Sequence, residues 1–265
     1  MGVRRFTILG CGSSGGVPRI GGHWGACDPS NPKNRRRRCS LLVEQFGSSG
    51  TTTAIIDTSP DLRMQLLDAE IGHLDGVVYT HAHADHVHGI DDLRMVVINR
   101  RERLDVWADA PTRTALLERF DYVFEQPEGS PYPPILNLRD IEGPVEISGA
   151  GGPITFTPLK VNHGAIDALG FRIGDVAYIP DILQFYDPAW AALKDLDWLI
   201  IDALRRTTHP SHSNLENTLG WIDKLVPRRA IITNMHTDLD HDTVASETKD
   251  HVAPAYDGMR FDVEV

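Results

Sequence analysis

The sequence predicts an α/β protein made of one domain, residues 1–265. Strand-like apolar runs recur along its whole length, helical patterns fall between many of them, and no linker-like break divides it. In the first half the runs lie at 6–10, 40–44, 53–57, 76–80 and 104–108. In the second they lie at 154–159, 170–173, 176–179, 198–202, 230–233 and 260–263. Segments 60–69 and 111–120 each open on a proline, a residue tolerated in the first turn of a helix. Segment 214–225 carries Leu215, Leu219 and Ile222 on one helical face. This alternation implies sheets covered by helices. Residues 125–153 are rich in proline and glycine and read as an ordered surface loop or lid.

Composition narrows the class. With 41% hydrophobic and 24% charged residues the chain has the balance of a globular protein. Its first ten residues run straight into a strand pattern, with no apolar signal segment and no membrane-spanning run. Three cysteines, Cys11, Cys27 and Cys39, cannot build a paired disulfide framework, so a reducing cytoplasm is expected. A net charge of −11 disfavours a long nucleic-acid footprint. The run Arg35-Arg36-Arg37-Arg38 is the exception; it reads as a solvated face or a local charge partner, or as a grip on a phosphorylated small molecule.

The densest chemistry is His81-Ala82-His83-Ala84-Asp85-His86, four metal-ligand side chains directly after an apolar strand. Imidazole with carboxylate suits zinc, manganese or iron better than calcium or magnesium. Three later residues repeat the arrangement of an apolar strand followed by a polar side chain: His163, Asp181 and His236. Any one of them alone would be a turn or capping residue. Together with the hexapeptide they read as the ligands of a metal site.

This set resembles the metallo-β-lactamase family, whose His-x-His-x-Asp-His motif matches residues 81–86 and whose remaining ligands follow in the order His163, Asp181, His236. The resemblance covers essentially the whole chain. It implies an αβ/βα sandwich of two mixed sheets flanked by helices, and two divalent metal ions, zinc or manganese. One metal would be held by His81, His83 and His163, the other by Asp85, His86 and His236, with Asp181 bridging. Relatives often end the last of these strands in Thr-His, whereas Thr233 is followed here by Asn234. His236 stands two residues further on, and His241 is the alternative.

Four features point to the phosphodiesterase branch. Asp181 stands where secreted lactamases of the family carry cysteine. The opening segment Leu9-Gly10-Cys11-Gly12-Ser13-Ser14-Gly15-Gly16-Val17-Pro18-Arg19 is similar to that of the branch, and Ser13 and Ser14 are candidate anion contacts. Arg94, in Asp91-Asp92-Leu93-Arg94, is a candidate phosphate ligand, or else an ion-pair partner of Asp91. In His209-Pro210-Ser211-His212, His212 matches the histidine that reaches the reacting phosphate, with Ser213 and Glu216 forming a capping box behind it. The closing segment 255–259 is also similar to the branch.

The nearest resemblance is to phosphoribosyl 1,2-cyclic phosphate phosphodiesterases. It implies hydrolysis of a small cyclic phosphodiester, with His212 and Asp85 catalytic, a phosphorylated substrate or nucleotide as partner, and a homodimer. Some members carry a structural zinc on a cysteine-rich N-terminal loop, but residues 22–29 here hold one cysteine. Asp57 is either support for a metal-binding histidine or the cap of the helix near Pro60. Two rival readings remain: a transfer-RNA 3′-processing endonuclease and a non-catalytic metal or nucleotide sensor. The first needs a basic arm, yet segment 121–153 holds six acidic residues and one arginine, Arg139.

Overall fold

The computed structural model describes residues 2–265. In chain order the first strands are β1 (Val3–Gly10), β2 (Ser40–Gly47), β3 (Gly50–Ile56) and β4 (Gly76–Val78), with helix α1 (Leu62–Asp68) before β4. Helices α2 (Ala84–Val87) and α3 (Leu93–Arg100) precede β5 (Leu104–Ala108), and α4 (Ala110–Phe124) precedes β6 (Leu136–Asp140) and β7 (Val145–Ile147). Then come β8 (Ile154–His163), β9 (Ile166–Ile173), β10 (Val176–Ile179), β11 (Gln184–Phe185) and α5 (Asp187–Ala192). The chain closes with β12 (Trp198–Asp202), α6 (Leu215–Leu225), β13 (Arg229–Thr233), α7 (His241–Glu247), β14 (Val252–Pro254) and β15 (Arg260–Glu264).

Internal contacts divide the chain into two compact units. One takes the segment up to Leu9 with 40–155 and 260–265; the other takes 10–39 and 156–259. The first unit holds a mixed sheet in the order β15-β1-β2-β3-β4-β5-β6. Strands β2 and β3 form a tight antiparallel hairpin, and β3, β4, β5 and β6 run parallel. Parallel strands covered on both faces must be apolar throughout, and every residue of β4 is buried. Leu62 and Leu66 of α1, Leu93 and Val96 of α3, and Leu116 and Val123 of α4 pack with Ile55, Val77 and Val106 in one core.

The second unit holds a sheet in which β11-β8-β9-β10-β12-β13-β14 are neighbours. Strands β8, β9 and β10 pair antiparallel, whereas β10, β12, β13 and β14 run parallel. Helix α6 buries Leu215, Thr218 and Ile222, and Trp221 sets its ring 4.9 Å from Phe185. Two mixed sheets flanked by helices are the fold class expected from the sequence.

Segment 125–153 is more regular than expected, because β6 and β7 lie within it and β6 joins the parallel sheet beside β5. The capping box is also corrected. The N-cap of α6 is Asn214, whose side chain accepts from the Asn217 amide, while the Ser213 hydroxyl donates to the Asn214 carbonyl.

Candidate metal and catalytic site

In the first unit the chemistry gathers where the parallel strands β3 and β4 end. Asp57 follows β3 in the left-handed region, φ 65°, a conformation that short polar side chains tolerate. Its fully buried carboxylate accepts from the Thr80 amide at 2.8 Å and the Thr80 hydroxyl at 2.7 Å, and lies 2.7 Å from Nδ1 of His86. Burial raises this carboxyl, and the His86 and Thr80 contacts act against that rise. Asp57 therefore holds the His86 ring, and it does not cap α1, which starts at Leu62 behind Asp61. Across the loop, the His81 ring lies 4.6 Å from the His83 ring and 4.3 Å from the His86 ring. Nε2 of His86 lies 3.5 Å from Oδ2 of Asp85.

The second unit repeats the device. His163, the last residue of β8, sets Nδ1 2.7 Å from the Ser211 carbonyl and Nε2 3.4 Å from Oδ2 of Asp181. Asp181 follows β10 and accepts from the Asn234 amide nitrogen at 3.0 Å. Asp202 ends β12, fully buried, and its Oδ2 accepts from the Ile182 amide at 3.1 Å and stands 2.9 Å from Nδ1 of His212. Burial raises the Asp202 carboxyl to about 7, against the lowering effect of His212. The ring of His212 lies 4.6 Å from that of His163. In the sequence Asp202 shows only as an acid ending an apolar strand, the same signal as Asp57 and Asp181.

These surroundings fit divalent metal ions. A metal-bound imidazole usually has its second nitrogen tied to a carboxylate or carbonyl, which fixes the tautomer and aims the ligating nitrogen. The Nδ1 atoms of His86 and His163 have such partners, Asp57 and Ser211. His81 has Nδ1 3.0 Å from the Thr80 hydroxyl.

Both ring nitrogens of His236 have partners. Asn234, at φ 59°, occupies the end of β13 and reaches Asp181, while the His236 ring is engaged by Asp238 through Nδ1 at 3.1 Å and by the Arg19 guanidinium at Nε2. His241 opens α7 with Nδ1 2.9 Å from Asp242.

The candidate phosphate contacts divide. The amides of Gly12, Ser13 and Gly16 are spent on protein carbonyls; Ser13 is buried and Ser14 exposed. Arg94 pairs with Asp91 at 2.7 Å, the plain helical ion pair. In the arginine run, Arg36 is buried and bonds the carbonyls of His236 and Leu239, Arg35 lies over Trp24, and the Arg37 amide donates to Asp257. Asp257 also accepts from the Cys11 amide and thiol, so segment 255–259 ties down the glycine-rich loop.

Residues 52–235 match the β-lactamase superfamily domain. The chain belongs to the β-lactamase superfamily. Among solved members, the crystal structure of a diphosphatase from the PhnP family is 32% identical, with a TM-score of 0.87 over 99% of this chain and 98% of that one. Zinc-bound PqqB from Methylobacterium extorquens, 17% identical, shares the superfamily fold with a TM-score of 0.74 over 98% of this chain and all of that one. So does the short form of human tRNase Z, 13% identical, with a TM-score of 0.66 over 98% and 100% of the two chains. A protein of Porphyromonas gingivalis named octanoyltransferase is 34% identical over 259 residues, covering 96% of this chain. The chain spans about half the length of that curated relative, 51%. No helix among the described residues is long and apolar enough to cross a membrane.

Proposed function

We propose that the chain is a metal-dependent hydrolase of a small phosphodiester, cyclic and phosphoribosyl- or nucleotide-like. The observation that carries this is His212 held on the buried carboxylate of Asp202 in the same unit as His163 and Asp181. A fixed imidazole beside metal-ligand chemistry is what proton transfer to a departing ester oxygen requires. The 32% identity to a diphosphatase supports phosphorus as the reacting centre.

In this reading His81, His83 and His163 would hold one divalent ion and Asp85 and His86 a second, with Asp181 between them, and His236 would join the second on giving up its contact with Arg19. Bound metals would lower the pKa of water towards neutrality and neutralise phosphate charge. The protein does the rest. Asp57 and Ser211 orient His86 and His163, and Asn234 orients Asp181. Water adds to phosphorus and loses a proton to solvent, the bond to the leaving oxygen breaks, and Nε2 of His212 gives that oxygen its proton while Asp202 steadies the ring.

Incubation of protein loaded with Zn or Mn with ribose cyclic phosphates, nucleoside cyclic phosphates and bis(p-nitrophenyl) phosphate tests the reading. Turnover of at least one is expected. Silence across the panel in both metals would overturn it and leave the sensor reading. The octanoyltransferase name belongs to a protein with nearly as much sequence again outside the match.

A further inference from the structure

Beside His83, wholly within the first unit, lies an open hollow of ≈ 690 Å³ lined by Ala82, His83, Ala84, His88, Arg119 and Phe120. Its size is that of a small-ligand pocket. Helix α4 builds the far wall by breaking its own geometry: Phe120 has φ −138° and ψ 33° inside the helix. Such a departure persists only where surrounding contacts impose it. Here Phe120 packs half-buried against the core of the unit, and its ring meets that of His88 edge-on at 5.6 Å.

Next to it, Arg119 is exposed and donates from Nη1 to the Ala82 carbonyl at 2.6 Å. Among the described residues no carboxylate pairs with Arg119. A solvated helix arginine would be free to swing; this one is pinned by one nitrogen to the metal-ligand loop, with the remaining donors of its planar fork left over. That fork matches the oxygens of a phosphate.

We infer that this hollow binds the part of the substrate beyond the phosphodiester, and that this part is a nucleotide: Arg119 takes a further phosphate, and Phe120 with His88 takes the base. A flat ring against half-buried aromatic surface and an anion on an arginine are the two recognitions a nucleoside phosphate needs. A sugar phosphate would use only the first, and a bare nucleoside only the second. The inference rests on the phosphodiesterase reading for its place in the reaction, but the binding it asserts can be measured without turnover.

The test is calorimetric titration of the full chain with adenosine 5′-monophosphate, ribose 5-phosphate and adenosine. The nucleotide should bind more tightly than either fragment. Arg119→Met, at an exposed position, should weaken nucleotide binding by roughly 10- to 100-fold, the range for hydrogen bonds to a charged group. Arg119→Lys should recover only part of that, and Arg63→Met, on α1 outside the hollow, should change nothing. Equal binding of ribose 5-phosphate and nucleotide, or indifference to Arg119→Met, would overturn the inference while leaving phosphodiester hydrolysis standing. Arg119-dependent nucleotide binding without any phosphodiester turnover would uphold the hollow and sink the proposed reaction.

Discussion

Nδ1 of His212 stands 2.9 Å from Oδ2 of Asp202, a carboxylate with no solvent exposure. The contact selects the tautomer with its proton on Nδ1, leaving Nε2 as the working nitrogen. Asp202 is itself fixed by the Ile182 amide, one residue beyond Asp181, so the orientation of His212 is built into the strand ends around Asp181.

His212→Ala should therefore lower phosphodiester turnover by roughly 10²–10⁴-fold while bound metal is unchanged. Asp202→Asn should also lower kcat and move the acid–base limb of the rate–pH profile, because an amide no longer stabilises a cationic ring. Metal analysis of both variants beside kinetics checks this. Loss of metal in His212→Ala would mean that the residue is a ligand.

Asp57 plays the matching part in the first unit, buried with three donors on it. Asp57→Ala strands the Thr80 amide and hydroxyl and the His86 ring together, and puts alanine at φ 65°. A loss of about 3–5 kcal/mol is expected, as for breaking a buried charged pair. Asp57→Asn keeps one acceptor oxygen and tolerates the left-handed backbone, so it should fold. It should still lose metal affinity by roughly 10–100-fold, the usual consequence of removing the partner of a ligand histidine. Denaturant melts and competition with a chelator measure the two effects separately.

Gly89 ends the loop that carries His81 to His86 against the turn into α1. A Cβ there would lie 2.0 Å from the Ser59 carbonyl oxygen and 2.8 Å from Cβ of Leu62. Backbone is the obstacle and the Gly89 amide already bonds the Thr58 carbonyl, so the clash cannot be relieved by a rotamer change. Gly89→Ala should cost at least about 1–3 kcal/mol, the range for overpacking. Gly143→Ala, where nothing lies within 4 Å, should be neutral in the same thermal melt.

The strand ends that carry polar side chains were legible because buried parallel strands are continuous apolar runs, and a polar residue close after one is conspicuous. Val176–Ile179 before Asp181 is such a case. β6 was not legible: Leu136–Asp140 buries only its first residue fully and lies between prolines and glycines that read as loop. The role of Asp202 depends on His212, and that of Arg119 on the Ala82 carbonyl 37 residues away, which no local pattern encodes. His236 was recognisable as a ligand type, but its ring is directed by Asp238 and by Arg19, brought to it by the N-terminal loop.

Asp240 gives the fold a pH dependence of definite sign. It caps α7 by accepting from the Thr243 amide, and it also accepts from the Asp28 amide and, at 2.6 Å, from the Asn34 side chain. Burial would raise this carboxyl, but those hydrogen bonds outweigh it and hold it well below the ordinary carboxylate range. A carboxyl depressed by folding contributes stability that is fully present above its unfolded value near 4 and is lost as pH falls through the folded value. Asp240→Ala should thus cost about 1–2 kcal/mol at pH 7, the upper range for a lost N-cap. The gap between variant and parent should narrow steadily below pH ~4. Paired urea melts across that window decide the matter: a difference that stays constant with pH would show that the cap acts by shape alone, with no contribution from its charge.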